Sequence, residues 1–141
     1  MTRSQEAFVA LGSNLGSDKG GRRRTLVAAL GALRNAGIPP ARVSRFFATP
    51  CFPAGTGPDY VNACVVLRDA PEPSALLAVL HRIEAEFGRA RLQRWGSRSL
   101  DLDLVAQGDT VLPDCAEFRR WARLPPERQA HAAPDRLILP H

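Results

Sequence analysis

Lysine is almost absent from this chain: of its 19 basic residues, all but Lys19 are arginine. Cysteine is scarce as well. Cys51, Cys64 and Cys115 are odd in number and form no CxxC pair, which argues against a disulfide frame or a zinc site. No hydrophobic run reaches the roughly 20 residues that cross a bilayer, and the apolar stretch in MTRSQEAFVALGSN is too short for a signal peptide. The pattern GxxxxGK[ST] does not occur, so phosphate binding by a P-loop is excluded. No Ser/His/Asp arrangement and no His/Cys cluster presents itself for hydrolysis, and no internal repeat is visible. These absences leave a cytoplasmic, reduced protein with no membrane segment as the expectation.

What remains is 141 residues with 45% hydrophobic content, enough for one domain built on one core. The formal charge of +5 invites a nucleic-acid reading, although an all-arginine basic set is as readily a matter of genome composition. Arginine still matches phosphate oxygens with a rigid fork, so an anionic ligand, polymer or small molecule, is expected.

Periodicity orders the chain. AFVALGSN predicts a first strand that ends in the turn cluster Gly12-Ser13-Asn14. Leu26, Leu30 and Leu33 recur at helical spacing, and Gly37 with Pro39-Pro40 closes that helix. RVSRFFATP predicts a second strand, CFPAGTGPD a loop, and YVNACVVLRDA a third strand. PEPSALLAVLHRIEAEFG predicts a second helix with Leu76, Leu80, Ile83 and Phe87 on one face and Gly88 just past its end. RSLDLDLVAQG predicts the last strand, and 109–141 is the least readable part. The order β-α-β-β-α-β, with both helices on one face of an antiparallel sheet, predicts an α+β fold of the ferredoxin-like type. Many functions use that fold, so it does not decide this one.

The last strand holds the sharpest signal. Residues two apart in a strand face the same way, so Asp101 and Asp103 stand side by side while Leu100, Leu102 and Leu104 fill the other face. Alternation alone also describes a half-buried strand with a solvated face. Two carboxylates this close repel each other unless something positive joins them, and Mg²⁺ is commonly held by one or two carboxylates plus substrate phosphates. The preceding GRARLQRWGSR supplies Arg89, Arg91, Arg94 and Arg98 on a glycine-bearing stretch, which beside a metal patch reads as a polyphosphate clamp. That pattern points to Mg-dependent phosphoryl transfer. Glu84 lies on the flank of the apolar helix stripe, where an ordinary surface glutamate is the plainer reading. Trp95 reads either as packing or as a ligand platform. Asn62 offers a donor and acceptors that suit the edge of a heterocycle, or equally a backbone-bonded turn. His81 has only a bland reading on its helix.

These motifs resemble the 6-hydroxymethyl-7,8-dihydropterin pyrophosphokinase family. The likeness runs through FVALGSNLG, FFATP, PDYVNACVVL, RIEAEFGRARLQRWGSRSLDLDLVAQG and LILPH, leaving out 109–136. It implies transfer of diphosphate from ATP to 6-hydroxymethyl-7,8-dihydropterin with release of AMP, using two Mg²⁺ ions held by Asp101 and Asp103. By the same resemblance Arg89 and Arg98 act on the transferring phosphates, and Arg91 and Arg94 order a loop over ATP. Glu84 and His141 then belong to the nucleotide site, and Thr49, Pro50, Tyr60, Asn62 and Trp95 to the pterin pocket. The chain departs from the family pattern at Ser97, commonly proline there, and at Phe47 and Ala48, which replace more polar residues. The stretch between Asp103 and His141 is longer than in compact members, with a short helix expected near PPERQAH. The family continues past the histidine of LPH, so the expectation is a single domain, residues 1–141, without the family's C-terminal segment.

Two other classes compete with this enzyme. One is a catalytically weak nucleotide- or pterin-binding domain. The other is an RNA- or DNA-binding domain, against which stand the acids on the last strand and the lack of an aromatic-and-basic strand pair. Small-molecule substrates and no nucleic-acid partner are therefore expected; the sequence does not give the oligomeric state, and a monomer is favoured.

Overall fold

The computed structural model of the chain describes residues 5–88 and 99–141. It is an α+β arrangement with the elements β1 Ala7–Ser13, α1 Arg22–Asn35, β2 Pro40–Val43, β3 Phe47–Thr49, β4 Tyr60–Leu67, α2 Pro73–Glu86, β5 Asp101–Gln107, α3 Cys115–Ala122 and α4 Pro126–Gln129. The sheet is open, ordered β2-β4-β1-β5 with β3 also on β4, and every pairing is antiparallel. No helix among the described residues is long and apolar enough to cross a membrane.

Alternation along the strands builds the core. Ala7, Val9 and Leu11 of β1, Ala63, Val65 and Leu67 of β4, and Leu102 and Leu104 of β5 are buried together with Leu100. Against them lie Leu26, Ala29 and Leu33 of α1, and Leu76, Leu80 and Ile83 of α2 with Phe87 after it. Both helices thus cover one face, as the 3.6-residue spacing predicts. Gly88 ends α2 at φ +75°, a left-handed conformation that favours glycine at this position.

The expected second strand is divided into β2 and β3. Val43 pairs with Val65, but Phe47 pairs with Asn62, so four steps on one strand match three on the other. At the break Ser44 donates its backbone N–H to the Cys64 carbonyl (2.9 Å) while its hydroxyl accepts the Cys64 N–H (2.9 Å). A side chain thereby fills a backbone place in the ladder, and one residue is left over, as in a bulge.

The region least readable in sequence forms two helices. A short helix over PPERQAH is present as α4; α3 was not anticipated. Its start is capped by Asp114, whose side chain accepts the Glu117 N–H at 2.8 Å. The Glu117 carboxylate accepts hydrogen bonds from Arg120 and from the Trp121 indole N–H, which hold its pKa down at about 2. The chain then returns along the outer edge of β5. Leu112 and Leu139 exchange backbone hydrogen bonds (3.1 and 3.2 Å), Leu139 is fully buried, and the His141 N–H donates to the Val105 carbonyl at 2.7 Å.

Candidate functional site

The sheet face turned away from the helices carries five of the predicted residues, Thr49, Tyr60, Asn62, Asp101 and Asp103. Gly12 of β1 pairs with Asn62 on one side and with Asp101 on the other. Opposed residues in an antiparallel sheet project to the same face, so Asp101, Gly12 and Asn62 form one row. Two residues along, Asp103, Ala10 and Cys64 form the next. Asp101 and Asp103 are half-buried, and Leu102 between them points into the core at 2% exposure.

Asn62 is aimed by its neighbours. Its Nδ2 donates to the Thr49 hydroxyl at 2.5 Å, across the pairing of β3 with β4 that also sets Thr49 opposite Tyr60. Its Oδ1 lies over Gly12, where an added Cβ would come within 2.7 Å. Glycine is needed at position 12 because the amide crosses it. Pro50 follows Thr49 at an exposed position. The loop beyond is tied back to the turn after β1: the Asn14 side chain, 2% exposed, donates to the Pro58 carbonyl at 3.3 Å, and Arg22 donates to the Asp59 carbonyl.

Glu84 is not on the solvated flank of α2. It is 1% exposed, and its Oε2 accepts the N–H of Leu102 at 3.1 Å. It also lines a cavity of about 200 Å³ with Leu77, His81, Leu102, Asp103, Leu104, Leu137 and His141. Three predicted residues, Glu84, Asp103 and His141, are thereby brought together. His81 joins them although its sequence reading was bland; the available signal was its spacing three residues before Glu84, which puts both on one helix face. A larger apolar cavity of about 410 Å³, with Phe118, Trp121 and Ile138 in its wall, shares His141. Arg89, Arg91, Arg94, Trp95, Ser97 and Arg98 lie outside the described residues.

The donor set at β5 is open. Among the described residues no group of three or more His, Cys, Asp or Glu is placed to hold a metal ion. Two carboxylates on one strand face suit a hard cation that takes its remaining oxygens from water and phosphate, as Mg²⁺ does.

A 47% identical stretch of 77 residues, 55% of this chain and 39% of the relative, is shared with a 2-amino-4-hydroxy-6-hydroxymethyldihydropteridine pyrophosphokinase of Synechocystis sp.. The protein of that name from Haemophilus influenzae is 38% identical over 106 residues, 75% of this chain and 64% of the relative. That from Methylorubrum extorquens is 32% identical over 141 residues, all of this chain and 73% of the relative. The chain thus spans less than two thirds of the first two relatives' length. The sequence model of one family, 7,8-dihydro-6-hydroxymethylpterin-pyrophosphokinase, matches residues 8–141. The chain belongs to the 7,8-dihydro-6-hydroxymethylpterin-pyrophosphokinase family.

Proposed function

We propose that the chain transfers diphosphate from ATP to 6-hydroxymethyl-7,8-dihydropterin, releasing AMP, in folate biosynthesis. The observation that carries this reading is the row Asp101–Gly12–Asn62. Two strand spacings separate its ends, about 10 Å, the reach of a bicyclic ring and its hydroxymethyl group from an edge-binding amide to a metal-bound phosphate. The names of the relatives supply the substrate pair's chemistry.

In this reading Asn62, held by Thr49, presents its amide to the pterin edge, with Tyr60 and Pro50 beside it and Trp95 completing the pocket. Asp101 and Asp103 would hold Mg²⁺, two ions with ATP, and the metal would supply charge neutralisation at the phosphates. Glu84, His81 and His141 wall the cavity that takes part of the nucleotide next to Asp103. Arg89 and Arg98 bind the oxygens of the transferring diphosphate, and Arg91 and Arg94 close over ATP. The hydroxymethyl oxygen attacks the β-phosphorus in line and AMP leaves; no side chain is assigned as a dedicated base. The proton of that hydroxyl would pass to Asp103 or to water.

The fold reading is refined in the same way. With β2 and β3 counted as one broken strand, the sheet order becomes fourth-first-third-second, which supports the ferredoxin-like arrangement. We read residues 1–141 as one cytoplasmic, monomeric domain that binds small molecules and no nucleic acid.

AMP release from ATP and 6-hydroxymethyl-7,8-dihydropterin, with and without Mg²⁺, tests the activity. Pterin- and metal-dependent AMP is expected; nucleotide binding without AMP would favour the binding-only reading. Gly12→Ala probes the pterin side. Its Cβ displaces the Asn62 amide, so the pterin Kd should rise by about tenfold, the equivalent of one lost hydrogen bond. Calorimetric titration with the pterin reads this, and an unchanged Kd would remove Asn62 from the pocket.

A further inference from the structure

A buried carboxylate in an apolar helix stripe is costly, and replacing such a charge by a hydrophobe of similar volume is often neutral or stabilising for a fold. Glu84 is such a group. It is 1% exposed among Leu76, Leu80 and Ile83 on the buried side of α2. Its Oε2 accepts the backbone N–H of Leu102 at 3.1 Å.

That donor has a specific place. Among the described residues β5 is the outer strand of the sheet, paired with β1 on its inner side. The Leu102 N–H belongs to the peptide that joins Asp101 to Leu102, and Asp103 follows directly. A hydrogen bond to this peptide restrains the backbone between the two aspartates. On the same strand the His141 N–H donates to the Val105 carbonyl at 2.7 Å. An edge strand has a backbone partner on one side only, and a two-carboxylate site tolerates little change in the separation of its oxygens.

We infer that Glu84 is a positioning residue for the aspartate pair, acting through the Leu102 peptide to hold Asp101 and Asp103 at the spacing a divalent cation requires. This rests on the reading of those aspartates as the metal platform. It assigns Glu84 a task on the strand that is separate from any contact with nucleotide, and explains why an acceptor rather than a leucine occupies the stripe.

The test compares Glu84→Ala with Glu84→Gln in the whole chain, without nucleotide. Two quantities are measured: Mn²⁺ affinity by water-proton relaxation, and hydrogen exchange of the Leu102 amide. Loss of a supporting hydrogen bond behind metal ligands costs about 10–100-fold in affinity. Glu84→Ala should therefore weaken Mn²⁺ binding by at least about tenfold and speed Leu102 exchange. Glu84→Gln keeps a carbonyl acceptor and should stay close to wild type in both. If circular dichroism shows that Glu84→Ala does not fold, Glu84→Leu takes its place, filling the volume without an acceptor. Equal loss of Mn²⁺ affinity in the Gln and Ala variants, with Leu102 still protected in the Gln variant, would overturn the inference in favour of a purely charge-based effect. Wild-type Mn²⁺ affinity in Ala or Leu variants would overturn it outright. The Mn²⁺ comparison is repeated with inorganic diphosphate, whose oxygens can complete the site; a wild-type chain that binds no Mn²⁺ in either condition overturns the metal reading as well, a failure that appears before any substitution.

Discussion

Asp101→Ala and Asp103→Ala should each lower the proposed Mg-dependent AMP formation by at least about 10²–10³-fold, the loss typical when one group that stabilises transition-state charge is removed. The argument is geometric. Both carboxylates stand half-buried on one face of β5, and the side chain between them is committed to the core. A cation with two protein oxygens loses half its protein ligands in either variant. The fold should not follow, because neither side chain fills the core; stability should stay within about 0.5 kcal/mol, as for most substitutions outside a packed interior. Steady-state kinetics across a Mg²⁺ titration, with chemical denaturation of the same samples, separates the two effects. Retained turnover in either variant would show that the pair is a solvated strand face and nothing more. Asp101→Asn and Asp103→Asn are useful companions, since they keep the shape and remove the charge.

Leu102→Ala is the opposite kind of variant, expected to lose about 2–5 kcal/mol of stability through the methyl groups withdrawn and the cavity left behind. Leu102 is 2% exposed and belongs to the same buried cluster as Leu80 and Ile83 of α2. It sits opposite Leu11 of β1, so the void opens at the junction of the sheet and the helix that carries Glu84. Urea denaturation measures the loss as a lower midpoint with an unchanged slope. At temperatures where the variant remains folded, it should bind substrates far better than either aspartate variant turns them over. A loss below about 1 kcal/mol would mean that β5 is not clamped under α2 and would weaken the inference about Glu84. The two substitutions thus dissect one strand: alternate residues carry the proposed chemistry and the fold, and only the pleat separates them.

Much of this was legible in the chain itself, for a reason that differs from residue to residue. The leucines of LDLDL and the stripe of α2 follow from period alone, because a strand repeats every two residues and a helix every 3.6. The split of the second strand was not legible, because it depends on a serine hydroxyl substituting for a backbone group on β4, a contact 20 residues away. The start of α3 did have a local sign, the acid Asp114 three residues before Glu117, the spacing of a capping box, hidden by the proline- and arginine-rich context.

Glu84 and Gly12 mark the boundary most clearly. By itself the sequence determined the first, third and last strands and the first two helices, the core face of the last strand and of those helices, the pairing of Asp101 with Asp103 and, through its motifs, the family, because these depend on neighbours a few residues apart. Only the tertiary structure decided that Gly12 lies beneath the Asn62 amide, that Asn62 and Asp101 share a row, and that Glu84 is buried against the Leu102 peptide. Strand order and helix docking set those contacts. They are fixed by the joint burial of apolar surface from elements far apart in the chain, which no local spacing records.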